Sequence, residues 1–321
     1  MEGQELQQTG EPTKPEFLYH YTTESGLDGI LSSDCIWATD YRFLNDEAER
    51  KLGLELYKAT INKIALEHFG TLNYANTLVE HFQRSCSDVL DAFIVSFCAS
   101  FAKDDYQEEQ PVEDGRGGDR LSQWRGYARG SQGYCLAFDF GLLHRIQQEP
   151  QNRNCCYFGF CTYLEDSIDA MIEAHVREVF GSLVLQLAKE DFLDFESLHN
   201  ALNENEPKHD AMLTFLVDVL LLCGIFKHVG FQEEHEYRLI KFLFRSKPNR
   251  DELHFRNGLF KNTPYIKIPL SLSSESSPLK AIVVGPSANK DQNAYGLKIR
   301  LREMGITSVE VVPSKIPYRN W

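Results

Sequence analysis

Residues Ala92–Ala99 read AFIVSFCA, a nearly continuous apolar run. A run of this length without alternation is a strand covered on both faces, and such a strand belongs at the centre of a sheet. The chain must therefore supply strands on either side of it. Candidates lie in both halves: Phe17–Thr22 (FLYHYT), Cys35–Thr39, Gly133–Phe140 and Cys155–Leu164, then Glu236–Phe244, Leu253–Asn257, Tyr265–Leu270, Ala281–Gly285 and Ser308–Val312. Their aromatic and β-branched content and flanking turn residues mark them as strands.

Between these runs the apolar period becomes helical. Leu27, Ile30 and Leu31 follow a cap at Thr23-Glu24-Ser25-Gly26. Asp46–Phe69 repeats through Leu52, Leu56, Ala59 and Ile64, and a further helix is predicted from about Ala75 to Leu90. Leu121–Ala128 reads as a short helical turn, residues 166–226 as about three helices, and Leu297–Met304 as a last helix. The expected fold class is α+β: a mixed, largely antiparallel sheet core with helical insertions. Residues 1–15 form a loose tail and 16–321 a single domain, with a helical insertion at about 166–227. Lys103–Arg120 contains DDYQEEQPVEDGRGGD, which has too little apolar surface to order itself and is expected to be a mobile acidic loop. Its Gly-Arg-Gly-Gly lacks the preceding strand and following Lys-Ser/Thr of a phosphate cradle.

Charge and composition exclude several functions. With 33 basic and 47 acidic residues the net charge is −14, which argues against a broad nucleic-acid-binding face but leaves room for a local basic groove. The most apolar stretch, Met212–Phe226, is interrupted by Thr214, Asp218 and Gly224, so no membrane span is expected. The polar, acidic start has no leader pattern, and the expected location is cytoplasmic. Eight cysteines without a CxxC pair read as small buried residues rather than zinc ligands.

Four polar clusters stand out from this apolar background. His20 sits within Leu18-Tyr19-His20-Tyr21-Thr22; alternation puts Tyr19 and Tyr21 on one face and His20 and Thr22 on the other. Such a histidine either binds a ligand hydroxyl or serves the core. Asn45-Asp46 with Glu49 is a helix cap and capping box, or a polar site. Trp124, Arg125 and Tyr127 could stack on a planar ring and hold a phosphate, or anchor the acidic loop. Glu234, Glu236 and Arg238 share one face of an extended chain. Two carboxylates side by side repel, so this is either a functional pair or an edge strand guarded by charge.

In order and spacing, the motifs Leu18–Thr22, Gly26–Leu31, Asn45 to Glu49, Ser96-Phe97, Trp124 to Tyr127, Glu234 to Arg238, Pro264-Tyr265 and Ile282–Pro286 resemble a bacterial family of uncharacterised proteins. That family is sometimes linked to abortive-infection phage defence. More distantly, an early strand with His, a middle aromatic and a late strand with Glu resembles the ADP-ribosyltransferases. That resemblance implies NAD as substrate and a transferase or NAD glycohydrolase activity, in a toxin or defence effector. Glu236 would be the catalytic carboxylate, Glu234 would orient the nucleophile, and His20 would hold the ribose. Tyr21, Thr22, Asn45, Trp124, Arg125, Tyr127 and Arg238 would complete the dinucleotide site, with Arg42 as a second candidate for the pyrophosphate. The spacing around Trp124 and Tyr127 departs from the usual second motif. The acceptor would be a protein or a nucleic acid. Two other readings stay open: a metal-dependent nuclease or phosphoesterase, with Asp46, Glu49, Glu234 and Glu236 as oxygen ligands and His20 as acid or base, and a non-catalytic nucleotide-binding regulatory module.

Overall fold

A computed structural model describes residues 15–44, 47–70, 76–77, 79–80, 84, 90–100, 118–128, 133–148, 156–164, 168–180, 206–244, 253–257 and 262–317. The fold is α+β with a largely antiparallel sheet. The chain divides into two compact units, Met1–Ser32 with Phe97–Arg145 and Leu270–Trp321, and Ser33–Ser96 with Ile146–Pro269. The predicted acidic loop lies mostly outside the described residues, as do the tail 1–14 and the Asn45-Asp46 cap.

In the first unit, β1 (Phe17–Thr22) pairs antiparallel with β4 (Tyr134–Asp139) along its whole length and with the end of β3 (Leu90–Ser100). On the far side of β4 lies β11 (Leu279–Val284), followed by a parallel β12 (Glu310–Pro313). Alternation in β1 works as its sequence predicts. Tyr19 and Tyr21 join Trp124, Cys98, Cys135, Ala137, Ala281 and Val283 in one buried cluster.

Helix α1 (Glu24–Ser33) starts where expected, because Thr23 Oγ1 accepts the Gly26 N–H at 3.2 Å, and it buries Leu27, Ile30 and Leu31. Where β4 begins, Gly133 is required: a Cβ there would lie 2.3 Å from the Thr22 carbonyl oxygen.

The second unit places β3 between β2 (Cys35–Asp40) and β8 (Glu236–Phe244). β10 (Thr263–Pro269) and β9 (Leu253–Arg256) extend the sheet beyond β2, and β5 (Cys156–Phe160) pairs with β8. The central position expected for the apolar run Ala92–Ala99 is therefore realised. Helices α2 (Glu47–Phe69) and α6 (Glu206–Ile225) bury Tyr57, Ile61, Ile64, Phe215, Val219 and Leu220 in one core with Ile94 and Ile240. Between α2 and α6 in sequence come the short α3 (Leu121–Tyr127) of the first unit and α4 (Phe140–Gln148), which belongs to the first unit up to Arg145. α5 (Ile168–His175), which continues in a π turn to Phe180, belongs to the second.

Several expectations need correction. The run Cys155–Leu164 is two strands: it breaks at Cys161, whose N–H donates to the Glu236 carbonyl at 2.9 Å. Beyond the break, β6 (Thr162–Leu164) pairs instead with a short parallel β7 (Phe226–His228). The end of the stretch read as helical is thus a strand. The last helix, α7 (Lys290–Glu303), begins seven residues before Leu297, since its first turns carry only Ala294 as a buried apolar residue. The polar surface of those turns hides the helical period.

Candidate functional site

A buried, connected group of charged side chains lies where α6 ends. Lys227 on β7, Glu234, Glu236 and Arg238 are all buried, with 2%, 8%, 4% and 2% exposure. Glu234 is not on the strand, contrary to the reading of a shared extended face. Val229–Glu234 form a 3₁₀ turn, and His235 adopts a left-handed φ of 44° before β8 begins at Glu236. That conformation is unfavourable for a residue with a Cβ. Here it reverses the chain so that both carboxylates reach one ammonium.

Lys227 Nζ donates to Glu234 Oε2 at 2.5 Å and also to Glu236 Oε2. Arg238 donates through Nε to Glu236 Oε1 at 2.7 Å, through Nη2 to Glu236 Oε2 at 3.1 Å, and through Nη1 to the Gly224 carbonyl at 2.5 Å. Burial by itself raises the Glu236 pKa, but the charges and hydrogen bonds of Arg238 and Lys227 outweigh it and hold the carboxyl at about 2. Glu236 therefore stays an anion at any physiological pH.

Tyr163 on β6 accepts the Glu236 backbone N–H at 2.8 Å, and burial pushes its phenol upward. The Lys227 ammonium also lies 5.1 Å from the centroid of Phe231, an exposed ring. The edge-strand reading fails as well, because β8 is paired on both sides, by β3 and β5.

This arrangement bears directly on the metal reading. Lys227 occupies the place between Glu234 and Glu236 where a cation bound by both would sit. Among the described residues, no group of three or more His, Cys, Asp or Glu side chains is placed to hold a metal ion. Asp46 and the Glu49 side chain lie outside the described residues. Arg42, considered for a pyrophosphate, is committed to acids: Nε and Nη2 grip Asp40, with an Nε–Oδ1 distance of 2.9 Å, and Nη2 reaches Asp91 at 2.7 Å. Those carboxylates raise its pKa further against the opposing effect of burial.

The first unit carries the other candidates. His20 is half-buried, its imidazole edge-on to Phe97 with centroids 5.9 Å apart. Thr22 is also half-buried. Tyr21 is a core residue: its hydroxyl donates to the Gly118 carbonyl at 2.9 Å and accepts the Arg120 N–H at 3.2 Å. Burial drives its pKa far up. Trp124 is fully buried, packs edge-on against Tyr21 at 5.0 Å, and donates from Nε1 to Asp119 at 2.8 Å. Its ring has no open face for a ligand. Arg125 and Tyr127, on the other side of α3, are exposed. The structure thus brings Tyr21 and Trp124 together in one unit, and Glu234, Glu236 and Arg238 in the other. Asn45 lies outside the described residues.

Three residues that sequence reasoning passed over help to build these groups: Lys227, Tyr163 and Asp119. Lys227 had one visible signal, a lone cation directly after the apolar end of α6. Asp119 had none. Its two carboxylate oxygens accept from Trp124 Nε1, from Ser314 Oγ at 2.7 Å and from the Lys315 N–H at 2.7 Å, which ties α3 to the segment after β12.

Among the described residues, no helix is long and apolar enough to cross a membrane. No curated protein and no solved structure matches the chain. A family model described as "Protein of unknown function (DUF2971)" matches residues 123–239, from α3 into the first half of β8, and so takes in Lys227, Glu234, Glu236 and Arg238.

Proposed function

We propose that this chain consumes NAD, as an ADP-ribosyltransferase or NAD glycohydrolase acting as a toxin or phage-defence effector. The observation that carries the reading is Glu236, a carboxylate kept anionic by two cations at the start of β8. In such a reaction the bond between the ribose carbon and the nicotinamide nitrogen breaks, and its electron pair leaves with nicotinamide. Positive charge grows on the ribose carbon and ring oxygen, and a fixed anion stabilises it without reorganising. The oxygen of water or of an acceptor then bonds to that carbon and gives up its proton.

Glu236 has little exposure, so engaging a ribose hydroxyl requires it to exchange one hydrogen bond. Lys227 is the partner it can release, because Lys227 keeps Glu234 and Glu236 keeps Arg238. Glu234 is then the group that orients the incoming nucleophile. The resemblance assigns dinucleotide-holding roles to His20, Tyr127 and Arg125, while buried Tyr21 and Trp124 pack on the face of β1 opposite His20 and hold α3 in place.

A second reading, a non-catalytic nucleotide-binding module, draws on the closure of the Glu236 network and the burial of Trp124. Incubation of the purified protein with NAD, with nicotinamide measured by chromatography, separates the two. The enzymatic reading expects release that falls at least about 100-fold in Glu236→Gln and falls also in His20→Ala, both variants remaining folded by circular dichroism. Intact NAD after long incubation at high protein concentration overturns it, and NAD binding without turnover establishes the second reading in its place.

A further inference from the structure

We infer that one face of strands β2, β9 and β10 holds a phosphate dianion between Arg256 and Lys267. The inference stands apart from the enzymatic reading and uses residues of the second unit only. Strand pairing decides which side chains share this face. Tyr265 pairs with Thr39 on β2 and with His254 on β9, Lys267 pairs with Trp37, and Thr263 pairs with Arg256. Directly paired residues point to the same side of a sheet, as do residues two apart on one strand. Trp37, Thr39, Arg256, Tyr265 and Lys267 therefore lie together. The opposite side carries Ile36, Ala38, Ile266 and Ile268, all core residues.

Arg256 does not stay over its own partner. Its side chain crosses β10, and Nη2 donates to Thr39 Oγ1 at 2.7 Å. The guanidinium comes to rest 5.6 Å from the centroid of Trp37 and 5.8 Å from that of Tyr265. Both rings are neighbours of Lys267: Trp37 is its cross-strand partner, and Tyr265 lies two residues back along β10. The rings rest on each other with centroids 4.7 Å apart, and Trp37 is fixed further by its Nε1–H, which donates to Ser33 Oγ at 3.2 Å. Two cations from different strands are thus delivered to one spot.

Neither cation is neutralised there. Arg256 and Lys267 are both half-buried, and among the described residues neither makes an ion pair, in a chain with 47 acidic residues against 33 basic. The bond to Thr39 is the one hydrogen bond of the guanidinium among those residues, so most of its N–H donors are left for a ligand. Burial pulls the Arg256 pKa below the ordinary arginine value. On the other side of Lys267, burial and then Asp34 raise the Cys35 thiol, and the Lys267 charge opposes them. Like charges set side by side repel, and partial desolvation adds to the cost. Contact with the two rings offsets part of it for Arg256 but supplies no counter-charge. A small dianion removes both costs at once, with the guanidinium fork on two of its oxygens and the ammonium on a third. A lone carboxylate would leave one cation uncompensated. Free phosphate and a phosphate monoester share the required chemistry.

Phosphorus NMR of inorganic phosphate and of phenyl phosphate, each titrated with the full chain at low salt and about pH 8, where both are largely dianions, tests the inference. Saturable binding is expected, weakened at least about tenfold in Arg256→Gln and in Lys267→Gln, since each loses a charge-assisted contact. Lys267→Gln leaves the guanidinium and the rings in place and so guards against misfolding of Arg256→Gln. Lys267→Arg keeps the charge and should bind within about threefold of the wild type, a rescue that a purely structural role of Lys267 does not explain. Acetate, a monoanion, should compete at least about tenfold less well than phosphate. Tighter binding of phenyl phosphate identifies a monoester as the ligand, and equal or weaker binding identifies the free anion. Absence of saturable binding, wild-type affinity in both Gln variants, equal losses in Lys267→Arg and Lys267→Gln, or acetate competing as well as phosphate would each overturn the inference.

Discussion

Replacing Glu236 by Gln tests the buried charge network directly, and the structure fixes both the size and the pH dependence of the effect. Folding takes this carboxyl from the ordinary glutamate value of 4.5 to about 2, because Arg238 and Lys227 outweigh the burial that acts the other way. A group whose pKa falls on folding adds stability that is fully present above its unfolded value and is lost as pH falls through its folded value. Here the window runs from about pH 4.5 down to about pH 2. At about 1.4 kcal/mol per pH unit, the ionised carboxylate contributes on the order of 3 kcal/mol at pH 7. An amide has nearly the shape of the protonated acid, so Glu236→Gln should lose about that much at pH 7, within the range measured for breaking buried ion pairs. The difference between the two proteins should then shrink steadily below pH 4.5. Urea unfolding of both, followed by tryptophan fluorescence at intervals from pH 7 to pH 3, measures it. A loss below about 0.5 kcal/mol at pH 7, or a loss that does not change with pH, would refute the claim that Arg238 and Lys227 set the charge of Glu236. Most domains have about 5–15 kcal/mol to lose, so the variant should remain folded for the NAD assay.

Two further perturbations address the supports of these groups. Tyr163→Phe removes the acceptor of the Glu236 N–H and should cost about 1–3 kcal/mol in the same unfolding assay, the penalty of an unsatisfied buried donor; no change would mean that this bond adds nothing. Asp119→Ala removes the acceptor for Trp124, Ser314 and the Lys315 N–H at once, and should cost at least about 2 kcal/mol. It should also speed limited proteolysis near residue 315, and cleavage at the wild-type rate would count against Asp119 as the tie between α3 and that segment.

The sequence shows most strands and helices, because burial imposes a period that can be counted. β1 falls at Phe17–Thr22 as its aromatic alternation predicts, and β3 is central because AFIVSFCA has no polar side to expose. Boundaries fail where the signal is polar or where one run serves two partners. The first turns of α7 look like loop because their exposed face dominates. Cys155–Leu164 looks like one strand because nothing local marks the change of partner at Cys161.

Glu234, Glu236 and Arg238 are conspicuous in the sequence as charges set against an apolar strand, and their burial as a connected group agrees with that unusual pattern. Their geometry was not legible. The extended reading puts both glutamates on one strand face, whereas a 3₁₀ turn and a left-handed His235 carry Glu234 off the strand. Trp124 reads equally as an open platform or as an anchor of the acidic loop to the core, and the structure favours the anchor: helical geometry turns the indole into the core, where it donates to Asp119, and leaves Arg125 and Tyr127 outside.

The chain by itself determined its α+β class, its central strand and the identity of its unusual charged residues, since these follow from side-chain chemistry and local period. Only the tertiary structure decided which charges neutralise one another. Lys227 reaches Glu234 and Glu236 because β7 ends beside β6 and the following turn folds back. Arg256 settles over Trp37 and Tyr265 because β9 and β2 flank the same strand. Partnerships of this kind depend on strand order, and strand order is fixed by burial summed over the whole sheet rather than by any one segment.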